Sequence, residues 1–302
     1  MYPDNSIIVG LIDGDGNLIS YQSYNDFQYG SRSLDIIVPT RGRQCVTILQ
    51  DDIGVIRYED NRFVLKQILY STPEVVTMQL LGKVAEVVLV RRCHEKPDLN
   101  KKLFEIARRR KAHLSTAAQF TAIGTGLKPT QQYHPKRYNP SDTQRDIIWV
   151  DNEDRPALMN GGNRQSAIEA GLQVKVSGLG TNYVVRDLIE NRYEVPIIYF
   201  SIKDDYQQII ERVIDNSLFY DPEIDEYRFM RPSEDFIDIR SIDFEPYEEL
   251  KDYYPMIYSV VSGNMELSEL IEKAYRLGNP ILQNTVMLTA LRDSNATAII
   301  QD

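Results

Sequence analysis

Over the first third of the chain, apolar residues fall in short runs separated by turn-forming residues. Ile7–Ile12 leads through Asp13-Gly14-Asp15-Gly16-Asn17 into Leu18–Tyr21, which reads as a hairpin with favourable turn chemistry. Further apolar runs follow at 35–38, 45–49, 54–58, 64–70, 75–81 and 84–90. Strands at this spacing predict a β-rich module over residues 1–90.

From Pro97 the period changes. Leu99, Leu103, Ile106 and Ala107 recur at helical spacing, and Arg108, Arg109, Arg110 and Lys111 close the segment where cations suit the helix dipole. A second helical piece over 115–123 is expected to end at Gly124-Thr125-Gly126, with Lys128-Pro129 leading into a short strand at 130–133. Residues 134–146 are polar and read as a loop, and 146–150 read as a strand followed by a turn at 151–155. Pro156–Met159 then forms a second short strand, Gly161-Gly162 a turn, and a helix starts near Asn163 and stops at Gly171. An insertion with a helix near 183–192 precedes a buried strand at Val195–Phe200. Residues 204–216 form an amphipathic helix with Tyr206, Ile209, Ile210, Val213 and Ile214 on one face. An acidic, Pro-punctuated arm at 222–245 leads to a mainly helical tail, with helices at 266–277 and 281–291. The fold class expected is therefore α+β.

Composition narrows the function classes. With 302 residues, 42% hydrophobic and 10% aromatic, the chain suits about two folded domains. No apolar run approaches the length of a membrane span, and the start lacks the basic-then-apolar pattern of a secretory leader. Cys45 and Cys93 are too few for a disulfide framework or a zinc site, so a cytoplasmic, reducing setting is expected. His94, His113 and His134 lack metal-ligand spacing. Asp13, Asp15 and Asn17 look like the opening of a calcium loop, but Leu18 and Tyr24 stand where that loop needs Gly and Glu.

The net charge of −10 is unevenly spread. Residues 88–145 carry 13 Lys/Arg against 4 Asp/Glu, whereas 201–260 carry 16 acidic against 6 basic residues. One basic segment in an acidic chain can recruit a local anion, but it suits long duplex DNA poorly. Alternatively, the acidic region packs against the basic one.

The Gly161-Gly162 turn before a helix start is a plausible anion cradle. Glycines let a ligand approach the backbone, unpaired N–H groups face it, and Arg164 adds a planar charge. Arg164 could equally pair with Glu169 or Asp215, and Asn216 could simply end its helix. Gly124–Lys128 is no ATPase-type phosphate loop, because it lacks the Gly-Lys-Ser/Thr ending.

The order of these features carries a resemblance. A helix ends in Gly before Leu127-Lys128-Pro129, a hairpin runs into Gly162-Asn163-Arg164, and Val195-Pro196-Ile197-Ile198 leads to a helix ending Ile214-Asp215-Asn216. This resembles the N-terminal domain of the ParB/sulfiredoxin superfamily over roughly 85–222. The resemblance implies a ParB-like α+β domain at 91–222, which the residue pattern flanks with the β-rich module at 1–90 and a mainly helical region at 223–302. It implies nucleotide phosphates held by Gly161, Gly162, Asn163, Arg164, Gln165 and Ser166, lined also by Gly124, Thr125, Gly126 and Lys128. It further implies Mg²⁺ accompanying a nucleoside phosphate near Asp215 and Asn216. Such divergent members occur in plasmid, phage or other mobile-element settings.

The departures matter as much. Gln165 replaces a second Arg, Ser217-Leu218-Phe219 replaces a phosphate-binding segment, and Asn163 stands where sulfiredoxin chemistry needs Cys. They favour binding over turnover and leave three classes open. The first is a nucleotide-binding or nucleotide-hydrolysing protein. The second is a DNA-binding protein or ParB-like nuclease using the basic 91–145 segment, with Arg108, Arg109, Arg110 and Lys111 as contacts. The third is a non-catalytic assembly protein. The expected partners are a nucleotide, DNA in the second class and a second copy through the C-terminal helices, with no membrane.

Overall fold

The computed structural model describes residues 8–12, 18–23, 34–59, 62–66, 72–159, 168–217, 235–276 and 298–301. Strands β1 (Ile8–Ile12) and β2 (Leu18–Ser23) pair antiparallel, as the turn-rich pattern predicts. Helix α1 (Leu34–Thr47) follows and continues as a π-helical stretch, Ile48–Ile53, before the hairpin of β3 (Ile56–Glu59) and β4 (Arg62–Leu65). Helix α2 (Pro73–Glu95) then runs for 23 residues.

The N-terminal region is thus not β-rich. The runs at 35–38, 45–49, 75–81 and 84–90 are helical rather than extended. The physical reason is burial on all sides. In α2, Leu81, Val84, Ala85, Val87, Val88 and Leu89 are all buried, so the helix reads as an unbroken apolar run instead of a one-sided stripe. Its start is marked by Thr72, whose hydroxyl accepts from the Val75 N–H, and by Pro73 at the first helical position.

Helices α3 (Pro97–Arg108) and α4 (Leu114–Ala117) lead to β5 (Thr121–Gly124), α5 (Lys128–Tyr133) and β6 (Ile147–Val150). Strand β7 (Gly171–Val176), α6 (Asn182–Ile189), β8 (Ile197–Phe200), α7 (Tyr206–Ser217) and β9 (Phe236–Asp238) follow. A 3-10 turn at Ile239–Ser241 precedes α8 (Phe244–Val261), α9 (Leu267–Arg276) and β10 (Ala298–Gln301). Three local expectations change here. Residues 115–123 split into a short helix and β5, residues 130–133 are helical, and Gly171 opens a strand rather than closing a helix. The helix expected at 281–291 lies outside the described residues.

The fold is α+β around a mixed sheet in the order β5-β6-β7-β8-β9. Strands β5, β6 and β7 are antiparallel neighbours, whereas β7, β8 and β9 run parallel. Helix α6 links β7 to β8, the crossover that a parallel pair requires. Helix α2 packs across β5 and β7. On β6, Trp149 is fully buried against Phe104 of α3, and its indole N–H donates to Asn100 Oδ1 at 2.8 Å. A second cluster gathers Val184, Leu188 and Ile209 with Ile197, Tyr199 and Phe236.

Two compact units emerge. The larger comprises Asp51–Gly54 and Ile68–Lys251, and includes the mixed sheet. The smaller comprises Met1–Gln50, Val55–Gln67 and Asp252–Asp302. Within the smaller unit α1 packs on α9, and Gly42 makes that approach feasible: a Cβ there would lie 2.7 Å from Ala274 Cβ. Each unit holds one buried cysteine, Cys45 in the smaller and Cys93 in the larger. Among the described residues no helix is long and apolar enough to cross a membrane.

Candidate functional site

The connection from β5 to α5 holds four of the residues singled out in the sequence. Thr125 stitches it down: its N–H donates to the Asp146 carbonyl at 2.8 Å and its hydroxyl to the Arg145 carbonyl at 2.8 Å. The Thr125 carbonyl in turn accepts from the Asn139 N–H at 2.8 Å. Gly124 is crowded by Leu127, leaving no room for a side chain there. A Cβ on Gly126 would meet Pro140 Cα at 3.3 Å and Lys83 Nζ at 3.7 Å. Lys128, the first residue of α5, lays its aliphatic stem over Gly54, where a Cβ would collide with it.

A narrow ribbon stands beside this loop. Pro156 bridges to Val150, the Ala157 N–H donates to the Trp149 carbonyl at 2.8 Å, and Leu158 pairs with Glu169. Met159 N–H donates to the Ile168 carbonyl at 3.0 Å, and Ala170 N–H to the Ala157 carbonyl at 2.8 Å. Residues 168–170 are therefore the returning arm of the ribbon, which corrects the helix expected to reach Gly171. Gly171 is needed where that arm enters the sheet, since a Cβ would press on Arg145 Cγ and the Ile147 carbonyl at 2.8 Å each. Gly161, Gly162, Asn163, Arg164, Gln165 and Ser166 lie outside the described residues. Glu169, on the returning arm of the ribbon, is gripped by Arg145 at 2.9 Å and by Arg137 at 3.3 Å. Arg108 adds a bond from Nε to the Leu158 carbonyl at 3.2 Å.

Near the β5–α5 loop, sequence reasoning missed a polar group in which half-exposed Lys83 meets the buried Glu86, Asp146 and Gln173. Lys83 Nζ donates to both oxygens of Glu86, at 2.7 and 3.1 Å. Asp146 accepts from the Val174 N–H at 2.8 Å and from Gln173 Nε2. Burial, and then the adjacent Asp146, push the Glu86 carboxyl up to about 8, with Lys83 opposing them. Burial likewise raises Asp146 above the usual carboxylate range. Gln173 Oε1 is a buried side-chain atom without a partner among the described residues. The available signal was Glu86 itself, a lone carboxylate inside the apolar run Val84–Val90.

The remaining candidates are placed apart from this group. Asp215 is exposed on α7; Asn216 follows it in that helix, and its side chain lies outside the described residues. The basic run is divided among separate tasks. Arg108 serves the ribbon, Arg109 pairs with Asp235 at 2.6 Å, and Lys111 approaches Glu105 at 3.7 Å. Lys102, Arg109, Arg110 and Lys111 line a cleft of about 460 Å³ whose apolar part includes Ile106, Ile237 and Ile242. Among the described residues, no group of three or more His, Cys, Asp or Glu is arranged to hold a metal ion.

No family model, curated protein or solved structure matches this chain.

Proposed function

We propose that this chain binds a nucleoside phosphate on a ParB/sulfiredoxin-like domain, and that it works by binding rather than rapid turnover. One observation carries the reading. The Thr125 hydroxyl bonds the Arg145 carbonyl, and the Arg145 guanidinium grips Glu169, so the 124–128 loop is tied to Glu169, two positions in sequence after the 160–167 segment. These are the two segments to which the resemblance assigns the phosphates. A Mg²⁺ ion would arrive on the phosphates and take most of its oxygens from them and from water. Asp215, exposed on α7, is a carboxylate available to it among the residues the resemblance indicates. The nucleic-acid reading ranks second, because ion pairing of Arg109 and the bond from Arg108 to Leu158 draw charge away from the basic run. A plasmid, phage or other mobile-element setting belongs to the proposal through the resemblance alone.

A thermal-shift panel of CTP, ATP, ADP and GTP with Mg²⁺ tests the proposal. At a ligand concentration of about 100 Kd, binding adds about 2.7 kcal/mol of stability, so at least one nucleotide is expected to raise Tm by several degrees. Arg164→Ala is expected to abolish that rise while leaving the ligand-free Tm unchanged. A flat response to every nucleotide would instead favour an assembly protein that keeps the fold without the ligand.

A further inference from the structure

The C-terminal half of α3 forms one wall of the cleft of about 460 Å³, and β9 with the turn after it forms the other. Lys102, Ile106 and Arg109 recur at i, i+4 and i+7, so they share one side of the helix. The helix then stops in a left-handed turn. Arg109 has φ 49°, its N–H donates to the Ile106 carbonyl at 2.9 Å, and the Arg110 N–H donates to the Glu105 carbonyl at 3.1 Å. Glycine usually takes that position. Here it is an arginine, and Arg109, Arg110 and Lys111 line the cleft one after another. Two bonds join the walls, Arg109 to Asp235 at 2.6 Å and Lys102 Nζ to the Ile242 carbonyl at 3.4 Å, so the chain itself holds the cleft in shape.

The lining is mostly cation and hydrocarbon. Arg110 is exposed, and among the described residues its guanidinium has no hydrogen-bond or ion-pair partner. Glu105 is the carboxylate in the lining, and its charge is matched: the Ala112 N–H donates to it at 2.8 Å, and Lys101 and Lys111 approach it at 3.4 and 3.7 Å. The Ser241 hydroxyl donates to the Asp238 carbonyl at 2.7 Å. A helix C-terminus does not itself attract an anion, so recognition rests on the side chains. A cleft of this size, with apolar walls and a few convergent donors, suits a small ligand rather than a long polymer. We propose that it binds a small organic anion, a carboxylate or phosphate head on an apolar chain, with Arg110 on the head and Ile106, Ile237 and Ile242 along the chain. The site lies beyond the nucleotide reading, since none of its residues belongs to 124–128, 160–167 or the Asp215-Asn216 pair.

Isothermal calorimetry on the full chain, with hexanoate, octanoate, decanoate, octyl phosphate and the neutral octanamide, provides the test. Affinity is expected to rise about 10-fold for each two methylene groups from hexanoate to decanoate. Octanamide is expected to bind about 10-fold more weakly than octanoate. Binding of octanoate, octyl phosphate or both in this pattern supports the inference, and the tighter of the two names the head. Arg110→Gln is expected to weaken octanoate about 10-fold with Tm unchanged, and Arg110→Lys to recover part of the loss. Unchanged affinity in Arg110→Gln overturns the inference. Equal binding of octanoate and octanamide by the native protein also overturns it, and decides the matter should that variant fail to fold. A chain that ignores every octyl probe but binds a single-stranded oligonucleotide with steep salt dependence overturns it in favour of the nucleic-acid reading. The nucleotide panel is expected to be unaffected by Arg110→Gln, so either reading can fail alone.

Discussion

Glu86 places a titrating group where α2 meets the sheet, and this has a consequence for stability. Its usual value is 4.5, and burial with Asp146 alongside lifts it to about 8. Between those values the folded chain holds a proton that the unfolded chain releases. Stability from this group is therefore greatest at the acidic end and declines as pH rises through the window. Asp146 is raised too and acts in the same direction, while Lys83 is raised from 10.5 and adds its effect only at higher pH. The Tm of the native chain is expected to fall between about pH 5 and pH 9, and Glu86→Gln to flatten that fall. A slope identical in both proteins would remove Glu86 as its source. This residue also shows how far single positions could be read. In an extended Val84–Val90 run, Glu86 shares a face with Val84 and Val88 and has no evident partner. Only helical spacing puts Lys83 beside it. The Thr125 and Gly126 positions were legible as a loop worth attention, but their neighbours on α2 were hidden by the strand reading.

Helix α2 is the element on which that reading turned. Two apolar runs flanking Gly82-Lys83 look like strand, turn and strand, and the burial that makes the helix apolar all round erases its 3.6-residue period. The start signal Thr72-Pro73-Glu74 was present and pointed to a helix. A substitution at Gly82 separates the two pictures. A Cβ there meets nothing within 4 Å, and the residue lies inside a helix, so Gly82→Ala is expected to stabilise the chain by about 0.5–1 kcal/mol. A denaturant titration showing a loss would point back to a turn. Some elements were legible from sequence: the β1–β2 hairpin by its turn residues, α3 and α7 by one-sided patterns, and β6 and β8 as short, fully buried apolar runs. Strand β7 was not, although Leu172, Val174 and Val176 alternate, because Gly171 looked like a helix stop and instead marks a close approach to Arg145.

At the scale of the whole molecule, the uneven charge is largely reconciled within the larger unit. Arg92 bonds Glu249 at 2.6 Å and Glu245 at 2.9 Å, Lys96 bonds Glu245 at 2.6 Å, and Arg109 bonds Asp235 at 2.6 Å. The alternative in which the acidic region packs against the basic one thus has direct support in these pairs. Which acidic residues would meet which cations was not legible, because the partners lie about 130 to 160 positions apart in sequence. The two cysteines, one in each unit, open a different use of the same architecture. Burial raises both thiols above their ordinary range, so neither reacts while its surroundings stay closed. A thiol reagent then times the opening of Cys45 and Cys93 separately, with Cys45→Ala and Cys93→Ala identifying each signal. Two distinct labelling rates are expected, and a single shared rate would mean that the units open together. The pair of thiols is in effect a pair of clocks, one for each core, already written into the chain.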